Sequence, residues 1–534
     1  MRQLIIIILF FIFQQTLPAQ NAIRGVVLDE TNRQPLPGAT VFIPDLKRGT
    51  VTDLAGNFTL DNLPGGIFLA EISILGYAKK VVKINPAAST SPLEILLSHS
   101  GLELQEVVVT GVSASTERLK NPAPMTSVKK EVFLKNASTN LVDALARLPG
   151  ISQISTGTGI SKPVIRGLGY NRVVVLRNGI RQEGQQWGDE HGVELDENEV
   201  ERVEIIKGPG SVLYGSDAMA GVVNFLLPHP VAEGTLTGEA QADFQTNSNL
   251  AGASLMQAGN LNGWHWLGRF SGKKAGNFSN PADSKVLNSG FEDLAGSGFV
   301  GVSKNSVHSQ LHFSTFHQQI GIPEGERDSL GNFIAPVAEG DSVVEKSFAN
   351  DELTGFKNSL EIPRQRIAHD RVAWSNVLFF GENKLTADLG WQQNRRKEFG
   401  DVLAPGETEL HFQLRTWNAD LKYFFPERND WKFSTGVSAQ RQANRNFGEE
   451  YLIPAYEMGD LGFFIFSQKE LGKWFFSGGL RYDFRQVNAE PLFLNENEQP
   501  VEPGTPGAEE KFAGFERNFS NVSGGLGWSW QVAQ

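Results

Sequence analysis

Residues 431–440 read Trp431-Lys432-Phe433-Ser434-Thr435-Gly436-Val437-Ser438-Ala439-Gln440. Apolar residues fall at odd positions, and polar or small residues at even ones. Successive side chains of a strand point to opposite faces, so this pattern makes one apolar and one polar face. The pattern recurs where Trp474, Phe476, Leu480, Tyr482 and Phe484 oppose Ser477, Arg481, Asp483 and Arg485. Apolar-out, polar-in dyads of about ten residues describe an antiparallel transmembrane β-barrel. A soluble sandwich gives the same alternation, so the weight comes from repetition. Residues 231–534 hold about twelve such strands at the usual membrane length. The two longest stretches without the period, 319–365 and 486–512, are polar and rich in Gly, Pro and acids. Both are expected to be extracellular loops.

The N-terminus agrees with export. Arg2 precedes the apolar run Leu4 to Phe13, and Leu17-Pro18-Ala19 offers a small residue for cleavage. Residues 1–19 are therefore expected to be a signal peptide. No later run reaches the ~18 apolar residues of a membrane helix, so any span must be made of strands. The chain has no Cys, which excludes disulfides, thiolate metal sites and Cys nucleophiles. Its formal charge is −12, opposite in sign to the basic footprint of a nucleic-acid binder. Plentiful Phe (36) and Trp (10), with little Met (5), suit a β-rich protein with aromatic girdles.

Residues 22–98 carry short β-branched and aromatic strands at Ile23–Leu28, Thr40–Ile43, Asn57–Leu60, Phe68–Ile74 and Lys80–Ile84. Turn residues separate them: Pro35-Leu36-Pro37-Gly38, Asp53-Leu54-Ala55-Gly56-Asn57 and Leu63-Pro64-Gly65-Gly66. This spacing predicts a β-sandwich. Gly25-x-Val27, Pro35 to Ala39, Gly49 to Asp53, Gly56-x-Phe58 and Gly76-Tyr77 resemble the carboxypeptidase-regulatory-like domain. The resemblance implies a seven-stranded accessory sandwich, common on Bacteroidetes outer-membrane receptors, with no peptidase activity.

Residues 99–118 form a linker containing Leu104-Gln105-Glu106-Val107-Val108-Val109-Thr110-Gly111. An isolated strand-forming octamer of this kind can add to a partner's sheet edge. Residues 119–230 then mix helix and strand. Leu141 to Leu148 has helical spacing and stops at Pro149-Gly150, with strands at Pro163–Arg166, Val173–Leu176 and Val203–Ile206. The unit resembles the plug of a TonB-dependent outer-membrane receptor. The matching words are Leu148-Pro149-Gly150-Ile151, Ile165-Arg166-Gly167, Val175-Leu176-x-Asn178-Gly179, Val200 to Pro209, Tyr214-Gly215 and Gly221-Val222-Val223-Asn224. The resemblance implies that 104–111 is the TonB box, with Leu104, Gln105, Glu106, Val107, Val108 and Val109 contacting the TonB-ExbB-ExbD complex. It also implies outer-membrane lipid around the barrel and a periplasmic N-terminal domain.

The expected architecture is thus mainly β: sandwich, α/β plug and barrel. Plugged receptors of this kind have about 22 strands, and the sequence stops at Ser529-Trp530-Gln531-Val532-Ala533-Gln534 within a strand-like pattern. The expectation is a chain truncated at its C-terminus.

Candidate ligand chemistry lies in Asn178 to Gly192, a stretch placed where plug loops face the external vestibule. Asp189, Glu190 and His191 combine carboxylates with an imidazole, a set suited to zinc, copper or iron. Trp187 can stack on a flat ligand and Arg181 can pair with an anion; Gln185 and Gln186 complete the polar set. A self-hydrogen-bonded plug loop explains the same residues, and both readings stand at this point. His308, His312 and His317 are placed on adjacent strands, with His308 and His312 sharing a face. His191-Gly192-Val193-Glu194 matches the HxxE pair of zinc carboxypeptidases, without the fold that pair needs. No catalytic motif appears in a confirming context.

The resulting expectation is a non-enzymatic receptor for energy-coupled import of a scarce solute, a metal ion or siderophore-type chelate. It needs no cofactor beyond a metal ion bound as ligand, and no nucleic acid. The alternatives are an oligosaccharide or peptide importer of the Bacteroidetes nutrient-uptake type, and a ligand-binding signalling receptor without transport. Val173-Val174-Val175-Leu176-Arg177-Asn178-Gly179-Ile180 departs from the Tyr-Val-Ile-Asp-Gly-Val-like phrase of the glycan importers.

Overall fold

The computed structural model describes residues 21–532, except 89–90, 100–106, 109–115, 118–119, 136–137 and 208–210. The expected signal peptide, 1–19, lies outside the described residues.

The N-terminal domain has seven strands: Asn21–Asp29, Thr40–Ile43, Arg48–Val51, Asn57–Leu63, Phe68–Ser73, Lys80–Ile84 and Leu93–Leu97. They form a three-stranded and a four-stranded sheet. Alternate residues point inward, so Ile23, Val27, Val41, Ile43, Phe58, Leu60 and Ile72 make one core. The strands Arg48–Val51 and Leu93–Leu97 carry weaker sequence signals than the rest; their partners in the sheets decide them. The core continues into Val377 and Phe379 of the large sheet, with Phe68 and Phe379 rings edge-on at 5.7 Å. Lys384 Nζ reaches Asp45 Oδ1 at 2.6 Å, and Lys83 Nζ reaches Glu427 Oε1 at 2.8 Å. The sandwich is thus docked against one end of the large sheet.

The plug contains a five-stranded mixed sheet in the order Met125–Lys129, Arg202–Lys207, Gly221–Leu226, Val173–Arg177, Ile180–Arg181. Its central strands are continuous apolar runs because both faces are covered. Val173, Val175, Val203, Ile205, Val223 and Phe225 face Leu141, Ala144 and Leu145 of the helix Leu141–Leu145. Val174, Leu176, Ile206 and Val222 face Ala218 on the other side. The Asn140 side chain caps the helix by accepting from the Asp143 backbone N–H at 2.9 Å. That helix is shorter than the expected Leu141 to Leu148: a turn from Leu145 to Leu148 closes it. Gly221 stands at φ +154, and a Cβ there would lie 2.1 Å from the Ile206 carbonyl oxygen.

Twelve antiparallel strands follow, from Leu236–Gln245 to Phe515–Trp530, each paired with its sequence neighbour. Among the described residues the first and last strands pair on one side only. The dyad pattern holds. Leu255, Phe270, Phe313, Leu389, Ile465 and Leu480 are exposed on the outer face. Arg269, Gln310, His369, Arg371, Gln392, Asn394 and Arg396 are buried on the inner face, beneath the plug. The turns Asn262–Gly263, Asn305–Ser306 and Gly381–Glu382 mark one end, where the sandwich docks. Trp431 stacks on Phe433 at 5.3 Å and Trp474 on Trp530 at 5.4 Å, an aromatic band near that end.

The long connections lie at the opposite end, and two expected loops are partly ordered as sheet. Within 319–365, Phe333–Glu339 and Ser342–Phe348 form a hairpin. Within 486–512, Leu492–Leu494 pairs with Pro500–Val501 and Glu509–Phe512. The first is fixed by burial: Phe333 and Phe348 pack on Val286, Leu287 and Leu353. That apolar pair is too sparse to show as a period in a polar sequence.

Candidate functional site

The plug loop after the Ile180–Arg181 strand lies against the inner wall near the long-loop end. Lys162 of the strand Ile160–Ile165 supports it from below. This lysine is fully buried, and its ammonium donates to the carbonyls of Trp187, at 3.3 Å, and Gly188. Burial lowers its pKa to about 8, against the opposing pull of Asp189 and Glu190. Arg396 of the wall, also fully buried, pairs with Glu194, and its guanidinium donates to Gln365 Oε1 at 2.7 Å. Glu194 in turn lies 3.5 Å from His369 Nδ1.

His191 is fully buried between Trp187 and Phe412, with ring centroids 5.8 and 6.0 Å away. Its Nε2 faces Glu190 Oε1 at 3.2 Å and Glu398 Oε1 at 3.4 Å. Its Nδ1 is buried without a hydrogen-bond partner. Burial, then Arg396 and Lys162, hold its pKa well below the usual histidine range, so the imidazole is neutral.

The other sequence candidates take separate places. Asp189 accepts a hydrogen bond from the Tyr170 hydroxyl and stands apart from the His191 group. Gln185 is buried and reaches the Val173 carbonyl at 3.5 Å; Gln186 Oε1 accepts from the Gly184 N–H at 2.9 Å. Trp187 lies 5.6 Å from Phe412. Arg181 is already engaged: it donates to Asp217 Oδ2 at 2.8 Å and to the Tyr214 carbonyl at 2.9 Å. Arg485 of the wall reaches the same Asp217 carboxylate at 2.8 Å, so plug and wall share one acid between two cations. Burial pushes the Asp217 carboxyl up, but Arg181 and Arg485 outweigh it and hold the pKa at about 2. Both readings of the loop therefore have a physical counterpart: most of its polar groups are self-satisfied, while Glu190 and His191 face the wall.

Sequence reading missed Glu398, Arg396 and Lys162 as neighbours of His191. Parity carried a signal for two of them. In the strand Asn383–Phe399 the inward residues are Gln392, Asn394, Arg396 and Glu398, and the outward Leu389 is exposed. His308, His312 and His317 lie on one strand, Val307–Gly321, rather than on adjacent strands. His308 and His312 are buried on the inner face and His317 is exposed.

Of the TonB-box candidates, Leu104, Gln105, Glu106 and Val109 lie outside the described residues. Val107 and Val108 are buried and pair with Thr116–Glu117. The Val107 N–H donates to Glu71 Oε1 of the sandwich at 3.0 Å.

A sheet of outward-apolar strands thus lies around a mixed α/β unit. Comparison with known proteins makes that more particular. Residues 117–222 match the TonB-dependent Receptor Plug Domain, and residues 23–109 match the CarboxypepD_reg-like domain. The chain thus carries a domain of each of these two families, followed by a twelve-stranded antiparallel sheet.

The vitamin B12 transporter BtuB of Photobacterium profundum is 22% identical over 391 residues, 71% of this chain and 56% of that one. The hemin receptor of Yersinia enterocolitica is 33% identical over 120 residues, 22% of this chain and 17% of that one. The chain thus spans at most 56% of the length of these relatives. In fold, it is similar to the ferric yersiniabactin uptake receptor FyuA from Yersinia pestis (TM-score 0.56, 16% identity, 77% of this chain and 63% of that). The copper transporter OprC is similar too (TM-score 0.59, 17% identity, 77% and 61%).

Proposed function

We propose that this protein serves TonB-dependent import of a scarce solute across the outer membrane, the solute being a metal ion or metal chelate. The observation that carries the reading is the meeting of Glu190 and His191 of the plug with Glu398 of the wall, at the end bearing the long loops. On this reading that end faces outward, and the sandwich at the short-turn end faces the periplasm. Hemin, ferric yersiniabactin and copper named among the similar proteins support the same class of cargo.

The mechanism follows from the architecture. Solute binds against the plug loop and the polar inner wall. TonB, energised through ExbB-ExbD by the inner-membrane proton gradient, engages 104–111 by strand addition. Force on that segment then rearranges the plug and breaks its ion pairs with the wall. Deletion of residues 104–111 tests this: uptake is lost while solute binding is kept. Uptake that survives the deletion overturns the coupling.

A further inference from the structure

We propose that Glu190, His191 and Glu398 bind one bare divalent transition-metal ion, zinc-like in its preferences, across the contact between plug and wall. The ion's role as cargo rests on the import reading above; its binding does not.

The distances fit. Zinc–ligand bonds of about 2.0–2.1 Å at tetrahedral angles place neighbouring ligand atoms about 3.3 Å apart. His191 Nε2 stands 3.2 Å from Glu190 Oε1 and 3.4 Å from Glu398 Oε1. One ligand atom from each residue lies within 4.8 Å of the others. Rotation of the half-buried Glu190 side chain is enough to close the remaining gap.

The charges fit as well. Nearby cations are committed elsewhere: Arg396 pairs with Glu194, and Lys162 donates to loop carbonyls. Glu190 and Glu398 both lie against the same single imidazole, that of His191. Two carboxylates converge on that imidazole, an arrangement a divalent cation neutralises. One oxygen of Glu398 also accepts from Gln365 Nε2 at 3.1 Å, which orients it.

The loop is shaped for this placement. A Cβ on Gly188 would lie 1.8 Å from Glu190 Oε1, so any larger residue there displaces that carboxylate from its present position. Phe412 and Trp187 wall the imidazole with apolar surface. Three protein ligands leave a fourth position, on the partly exposed Glu190 side, for water or exchange.

The test is equilibrium dialysis of the purified chain in detergent against Zn²⁺, with Co²⁺ absorption as a geometric readout. The expected result is one ion per chain and a tetrahedral Co²⁺ spectrum. Glu398→Gln, which keeps shape and the Gln365 contact, lowers affinity at least about 10-fold. Gly188→Ala lowers it without altering any ligand, and Glu427→Gln at the opposite end leaves it unchanged. Absence of stoichiometric binding, or equal affinity in wild type, Glu398→Gln and Gly188→Ala, overturns the site. Zinc bound by the chain but not taken up by cells leaves the site standing and refutes the ion's role as cargo.

Discussion

Replacing Asp217 with Asn loosens the plug from the wall by a calculable amount. Its carboxylate lies 2.8 Å from Arg181 of the plug and 2.8 Å from Arg485 of the wall. Its pKa falls from 3.8 to about 2. At ~1.4 kcal/mol per unit, the ionised group contributes about 2.5 kcal/mol when both guanidiniums are in place. Its side chain is 19% exposed, so solvent screening takes only part of this. The guanidiniums keep other partners: Arg485 pairs with Asp460 at 2.6 Å, and Arg181 with the Tyr214 carbonyl at 2.9 Å. The substitution therefore removes one link without stranding a charge.

A loss of about 2 kcal/mol raises the population of the locally opened plug about 30-fold. Amide hydrogen exchange of the segment 211–221 in the purified chain measures it, with faster exchange of that order in Asp217→Asn. The contribution is present in full above pH 3.8 and is lost as pH falls through about 2, because protonation removes the charge. Acid therefore weakens the wild type in that window and leaves the variant flat. Equal exchange in the two proteins refutes the reasoning, since it shows that the shared acid holds nothing.

Two further perturbations test the plug and its loop. Gly221→Ala places a methyl against the Ile206 carbonyl at a backbone angle that L residues avoid, costing about 2–4 kcal/mol; a markedly lower denaturant midpoint for the plug checks it. Lys162→Met removes the ammonium from the carbonyls of Trp187 and Gly188 and leaves both unsatisfied, costing about 1–3 kcal/mol; greater quencher access to Trp187 fluorescence checks it. In the wild type, the loop becomes more stable as pH rises from about 8 towards 10.5. The folded state holds Lys162 neutral there while the unfolded state still binds the proton.

Much of the fold was legible because strands announce themselves locally. Trp431 to Gln440 and Trp474 to Arg485 alternate, and in the structure Trp431, Phe433, Trp474, Phe476 and Leu480 lie exposed on the outer face while alternate residues turn inward. The continuous runs of the plug read as buried strands for the same local reason. The hairpin at Phe333–Phe348 did not read, because two phenylalanines landing on Val286 and Leu287 leave no period. The site was half legible. Glu190 and His191 stand out as adjacent ligand types, whereas Asp189 looked equivalent to them until Tyr170 claimed it.

Sequence alone therefore determined what repeats over a few residues: strand parity, the apolar outer face, the plug words and the charge-bearing loop. Only the tertiary structure decided which charges meet. His191 and Glu398 are 207 residues apart in the chain, Arg396 and Glu194 are 202 apart, and Asp217 and Arg485 are 268 apart. No local propensity encodes such pairs. They arise because the wall wraps the plug at one register, which the hydrogen-bonded ladder of twelve strands fixes as a whole.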